Sequence, residues 1–189
     1  MSQLLRQHII DKLGHEPAGL EEVLSNFEPL EARSKQLLLS TGDICRHCYY
    51  LESGCLKLST LDAIGNETTT NLIFDHEWCT SLKSFSQQIP SDEQIVCVEP
   101  SQLWVISYER FRGLAERFPP FEQMYRQLLE ESYTQSLDRI NSLMGLDATG
   151  RVKWLLEQQP LIFSRLSNRL IASYLGLSEA TLSRLKSKL

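Results

Sequence analysis

The chain has 189 residues, 42% hydrophobic and 23% charged, with a net charge of −5. That is an ordinary globular composition, long enough for one medium domain and a small one beside it. No apolar run approaches the roughly 18–20 residues of a membrane span, and no Ser-His-Asp grouping, phosphate-binding loop or dinucleotide fingerprint appears. The charge is unevenly divided, with +5 on residues 151–189 and −10 on residues 1–150, so a basic tail follows an acidic body.

At the N-terminus, Leu4, Leu5, Ile9, Ile10 and Leu13 alternate with charged residues, which predicts an amphipathic helix over Met1–Gly14. An export signal needs an unbroken apolar core and a small-residue cleavage site, so a cytoplasmic protein with reduced thiols at its five cysteines is expected. From Glu28 to Ser107 the pattern is β. Short apolar or alternating runs lie at Leu37–Leu39, Cys48–Leu51, Cys55–Leu58, Thr68–Phe74, Gln94–Val98 and Leu103–Ser107. Turn signals such as Thr41-Gly42-Asp43, Ser53-Gly54 and Gly65-Asn66 divide them. This spacing predicts a sandwich, roll or barrel.

After Ser107 the pattern turns helical. A short helix over Tyr108–Phe118 is ended by Pro119-Pro120, and a long one follows over about Phe121–Leu146. Along it Leu129, Tyr133, Ser136, Ile140 and Leu143 step by 4, 3, 4 and 3, a coiled-coil-like seam. Such a helix spans nearly 40 Å, longer than a small β-domain needs for cover. Packing within one chain and pairing with a second copy both fit, and we favour a homodimer.

The tail, Asn168–Leu189, reads as two short helices on either side of Gly176. Ile171, Leu175, Leu182 and Leu185 share one apolar face, Ala172 permits a close crossing, and Ser178 is placed to cap the second helix. A tight turn at Gly176 favours positive φ. This spacing suits a DNA-binding helix-turn-helix, and a basic tail is what phosphate contact requires. An ordinary αα-hairpin inside another fold has the same apolar pattern.

A roll, a long helix and a C-terminal helix-turn-helix, in that order, resemble the Crp/Fnr superfamily of bacterial transcription regulators. The residues that carry the likeness are Leu38–Leu58, Phe74–Phe85 and Ile171–Leu185, and the tail with its S-L-K-S-F…P-S stretch is most similar to a branch common in Bacteroidetes-type bacteria. The resemblance implies an α+β chain. It would have an N-terminal double-stranded β-helix (a jelly roll of the cyclic-nucleotide-binding type) over 1–118, a dimerisation helix over 119–146 and a (winged-)helix-turn-helix over 147–189. The β-wing that often follows the recognition helix is not among these 189 residues. Further, it implies double-stranded DNA, a second copy of the chain, RNA polymerase and a small-molecule effector as partners. For DNA it assigns Asn168, Arg169, Ser178, Glu179, Thr181, Ser183, Arg184, Lys186 and Lys188. Ser183-Arg184 match a base-reading pair, and an Arg there can grip a guanine edge bidentately. The family's usual Glu, however, falls on Ala180, so the operator preference need not be that of Crp or Fnr.

At the effector site the pattern departs from the members that bind cyclic AMP. Thr80 and Ser81 stand where those members have Gly-Glu, and Ser91, Asp92 and Glu93 lie near the place of their Arg-Ser pair. A cyclic phosphate needs a cation and bared amides, and two carboxylates would repel it. The expected effector is therefore not cyclic AMP. The run Cys45-x2-Cys48-x6-Cys55 has spacing similar to Fnr's cluster ligands, but it falls on the roll rather than in an N-terminal extension. Buried apolar thiols are the simpler reading, with no metal and no cofactor. A cupin-type enzyme would need a second His where Tyr49 stands, and an enzyme is not expected. The competing functional reading is a sensor module that acts through protein contacts without binding DNA.

Overall fold

The computed structural model describes residues 3–187. The chain divides into two compact units, residues 1–130 and 131–189, and the long helix contributes to both.

In the first unit, helices α1 (Gln3–Leu13) and α2 (Leu20–Leu24) precede strands β1 (Glu28–Ala32), β2 (Leu37–Leu39), β3 (His47–Ser53), β4 (Leu56–Leu61), β5 (Glu67–Ile73) and β6 (Trp78–Cys79). Helix α3 (Leu82–Gln87), strands β7 (Glu93–Cys97) and β8 (Ser101–Ser107) and helix α4 (Tyr108–Arg117) follow. Helix α5 (Pro119–Gly145) then begins. The strands form two four-stranded antiparallel sheets, ordered β1-β8-β3-β6 and β2-β7-β4-β5. The expected roll is thus present. The six runs read from the sequence became β2–β5, β7 and β8. Strands β1 and β6 were not among them, because Glu28–Ala32 contains a Pro and two Glu and Trp78–Cys79 is only two residues long.

Leu51, Leu56, Ile95 and Ile106 are fully buried in the core. Each contributes about 1.5–3 kcal/mol through removal of its side chain from water. The middle of β3, Cys48–Leu51, is buried residue after residue. A strand reads this way when both of its faces are covered. Helix α1 supplies one cover: the Trp78 indole donates to His8 Nε2 at 3.0 Å, and the His8 ring lies 5.0 Å from that of Tyr50. Gly54 turns β3 into β4 at φ +119°, and an added Cβ there would meet Ser101.

The Ser107 hydroxyl caps α4 by accepting from the Arg110 amide. Pro119 and Pro120 end α4 and also open α5, two residues earlier than the sequence suggests. At the first helical turn a missing N–H costs nothing, because it has no partner in the helix. Phe111 of α4 lies edge-on to Phe121 (5.1 Å) and Tyr125 (4.8 Å) of α5, and Phe85 of α3 lies 5.4 Å from Phe111.

The second unit joins the C-terminal half of α5 to α6 (Ala148–Gln158), α7 (Ile162–Arg165), α8 (Asn168–Leu175) and α9 (Glu179–Lys186). Asp147 caps α6 through a 2.7 Å bond from the Gly150 amide. Val152, Leu155, Ile162, Leu166, Ile171, Ala172, Leu175 and Leu182 form its buried apolar centre.

Candidate nucleic-acid interface and roll interior

Local chemistry fixes the α8–α9 hairpin. Ser167 caps α8 by accepting from the Leu170 amide. At its other end Gly176 adopts φ 63° and ψ 37°. The Gly176 amide bonds the Ser173 carbonyl at 3.3 Å and the Leu177 amide bonds the Ala172 carbonyl at 2.9 Å, a paired termination that needs a left-handed residue. Ser178 then caps α9, its hydroxyl accepting from the Thr181 amide at 3.1 Å. Ile171, Ala172, Leu175 and Leu182 are buried, whereas Leu185 is only half-buried. The two short helices pack together on this apolar contact across the Gly176 turn.

Among the residues assigned to DNA, Ser178, Glu179, Ser183, Arg184 and Lys186 are exposed on or at the start of α9, and Thr181 is half-buried beside them. The Ser178 and Thr181 hydroxyls bond each other at 2.8 Å, and the Arg184 guanidinium lies back along its helix, 3.5 Å from Thr181 Oγ1. The Lys186 ammonium stands 4.6 Å over the Phe163 ring, a cation–π contact with α7. Asn168 and Arg169 open α8, Asn168 half-buried and Arg169 exposed. Lys188 lies outside the described residues.

Two arginines that the sequence reading passed over support this hairpin. Arg139 of α5 donates to the Tyr174 carbonyl at 3.0 Å and stacks 4.6 Å from the Tyr174 ring centre. Arg151 of α6 donates to the carbonyls of Leu175 (3.1 Å), Leu143 (2.8 Å) and Leu146 (3.2 Å). No spacing rule signals such contacts, because a carbonyl acceptor is the same at every residue.

Of the five candidate seam residues, Tyr133 (67%), Ile140 (46%) and Ser136 are exposed, and Leu137 and Met144 (84%) extend the exposed apolar stripe. Leu129 and Leu143 are half-buried. Leu143 faces the Gly176 turn, with its Cδ2 3.6 Å from where a Cβ on Gly176 would lie.

In the roll, three of the five candidate effector residues form one network. Ser81 Oγ bonds Ser91 Oγ at 2.9 Å and donates to Glu93 at 3.3 Å, and Glu93 also accepts from the Thr70 hydroxyl at 2.7 Å. Thr80 turns away, donating to the His47 carbonyl at 3.0 Å, and Asp92 is exposed, paired with Lys83 at 2.8 Å. Beside them Glu67 accepts from Lys57 (2.5 Å), Ser59 (2.6 Å) and Gln94 (2.8 Å). Burial would raise the Glu67 carboxyl, but these donors together hold it below its usual range. A separate cavity of about 330 Å³ opens between β2 and β3, floored by Leu39 and Tyr49 and rimmed by Arg46 and His47.

All five cysteines are free thiols and buried. Burial, with Cys45 nearby, pushes Cys48 up to about 12, and burial raises Cys97 to about 11. Such thiols stay protonated and are poor nucleophiles and ligands.

Residues 29–118 match the family model of the cyclic nucleotide-binding domain. Over 182 residues the chain is 25% identical to an anaerobic regulatory protein from Aggregatibacter actinomycetemcomitans, covering 90% of this chain and 69% of that protein. FixK2 from Bradyrhizobium japonicum has a similar structure (TM-score 0.75, 16% identity, 86% of this chain and 84% of that one). So does a protein of the Crp/Fnr family from Eubacterium rectale (TM-score 0.71, 19% identity, 90% and 82%). Residues 29–118 are thus similar to the cyclic nucleotide-binding domain, in a chain whose fold is that of the Crp/Fnr structures.

Proposed function

We propose that the chain is a cytoplasmic, homodimeric, sequence-specific DNA-binding regulator of transcription, of the branch its S-L-K-S-F…P-S motif resembles, with α9 as its recognition helix. It binds rather than catalyses, and RNA polymerase is the partner expected of such a regulator. The observation that carries the reading is the capped hairpin that leaves Glu179, Ser183, Arg184 and Lys186 exposed along one short basic-ended helix. Arg184 is assigned a guanine edge, Glu179 a cytosine amino group, and Asn168, Arg169, Lys186 and Lys188 phosphates. The exposed Tyr133, Leu137, Ile140 and Met144 on α5 are assigned to the partner copy, because an apolar stripe along a helix calls for cover. Two recognition helices must then lie about 34 Å apart to meet successive major grooves.

The effector of the roll is not a cyclic nucleotide. Glu93 already holds the Ser81 and Thr70 hydroxyls, so an anionic phosphate would meet a carboxylate where it needs donors. No cofactor is assigned, a reading supported by the burial of all five thiols, which keeps Cys48, Cys79 and Cys97 protonated. The test is selection of bound duplexes from a random pool at several salt concentrations, with Arg184→Ala as control. An enriched two-fold-symmetric sequence lost in the variant is expected. Enrichment that survives Arg184→Ala would remove the recognition role from α9.

A further inference from the structure

Two helix C-termini converge in the second unit, the end of α5 at Leu143–Leu146 and the end of α8 at Tyr174–Leu175. The last carbonyls of a helix carry partial negative charge and have no partner within it. Bringing two such ends together is unfavourable unless a cation sits between them. Neither helix carries a basic residue in its own last turn. Arg151 supplies the cation from α6, and its three guanidinium nitrogens bond Leu146 and Leu143 on one side and Leu175 on the other. Arg139 adds a second, bonding the Tyr174 carbonyl while its plane lies on the Tyr174 ring. The two α8 carbonyls they hold, those of Tyr174 and Leu175, directly precede Gly176, the turn that leads into α9. Arg151 is turned inward onto three carbonyls and Arg139 onto the carbonyl and ring of Tyr174, so neither cation is arranged for phosphate.

We infer that Arg139 and Arg151 are positioning residues for the DNA reader: they lock the α8–α9 hairpin to the end of the long helix, so that in a dimer the spacing of the two recognition helices is dictated by the long helices. The inference rests on the dimeric DNA-binding reading. A reader locked this way tolerates only one separation of half-sites. A reader released from the clamp keeps its contacts within a half-site but tilts freely about Gly176 and Asp147.

The experiment uses the full chain with Arg139→Gln and Arg151→Gln, singly and together. Each is titrated on the selected two-fold operator, on the same operator with two base pairs inserted at its centre, and on a single half-site. Amide exchange across Tyr174–Ser178 is followed in parallel. Wild type is expected to lose at least tenfold in affinity on the lengthened operator. The double variant is expected to lose less than threefold there, to bind the half-site within threefold of wild type, and to exchange the turn amides at least tenfold faster. Arg151→Lys, which keeps the cation but cannot span three carbonyls, is expected to restore the spacing preference only in part. The inference is overturned if the variants keep the wild-type spacing preference, or if half-site binding falls as far as operator binding, which marks mere structural support. Unchanged amide exchange in the turn overturns the clamp itself. Absence of any duplex binding by wild type is a different failure, that of the DNA-binding reading, and it removes the reader that these residues would position.

Discussion

Two glycines at positive φ give a graded test of the fold, because the space around them differs. Gly54 sits at φ +119°, and a Cβ there would meet Ser101 Oγ and lie 2.9 Å from both the Pro100 carbonyl oxygen and Ser101 Cα. Gly176 sits at φ +63°, and a Cβ there would find its nearest neighbours, Arg151 and Leu143 side-chain atoms, at an ordinary 3.6 Å. Alanine at either place suffers left-handed backbone strain of about 1–2 kcal/mol. At Gly54 the clash with backbone atoms adds about 1–3 kcal/mol, because the β8 start must shift. Gly54→Ala should therefore cost about 2–5 kcal/mol and Gly176→Ala about 1–2 kcal/mol, against a total of about 5–15 kcal/mol for a domain. Amide exchange read by mass spectrometry on the full chain separates the two effects, since each 1.4 kcal/mol is about tenfold in the opening equilibrium. Slow amides of β3, β4 and β8 should speed up by about 30-fold or more in Gly54→Ala, with α8 and α9 unchanged. In Gly176→Ala the acceleration should be about 5- to 30-fold and confined to the second unit. Equal costs at the two sites, or a larger one at Gly176, would refute the argument from space.

Leu182 is fully buried between the hairpin helices, so Leu182→Ala should cost about 2–5 kcal/mol. A urea melt followed by helical circular dichroism should lose the second unit first, and an unchanged melt would contradict that packing. Ser178→Ala removes the cap of α9 and should cost about 1 kcal/mol, with faster exchange confined to α9; uniform change along the chain would argue against a local cap. Burial lifts the Cys48 thiol from 9.0 to about 12 in the folded roll, whereas the unfolded chain releases that proton near pH 9. The folded state therefore loses stability as pH rises from 9 toward 12 and keeps all of this contribution below pH 9. Urea midpoints of wild type should fall more steeply over that range than those of Cys48→Ala, and parallel slopes would contradict it. Finally, since Tyr133, Ile140 and Met144 are exposed on α5, Ile140→Glu should leave the helix content intact and lower self-association measured by sedimentation at least tenfold; unchanged association would exclude this stripe as the seam.

The roll and the α8–α9 hairpin were legible in the sequence because each is a local pattern. Apolar or alternating runs of three to seven residues between Gly, Asp and Asn turns mark strands, and Gly176 with Ser178 marks where one helix must stop and the next begin. These signals depend on side-chain periodicity and on backbone preferences of single residues, which the chain carries whatever it packs against. Strand β6 and helices α2 and α3 were not legible, being too short for a period to appear. Nor was the use of the polar residues. Thr80, Ser81, Ser91, Asp92 and Glu93 read as one candidate site, yet tertiary structure turned Thr80 to the His47 carbonyl, Asp92 out to Lys83 and Glu93 in to Thr70 and Ser81. Leu143 fits the seam by spacing and also faces the Gly176 turn, because a helix offers several faces and only its neighbours choose among them. Arg139 and Arg151 looked like any surface cations. Their partners are main-chain carbonyls brought together by the convergence of two helix ends, a meeting that no sequence pattern encodes and that only the folded chain decides.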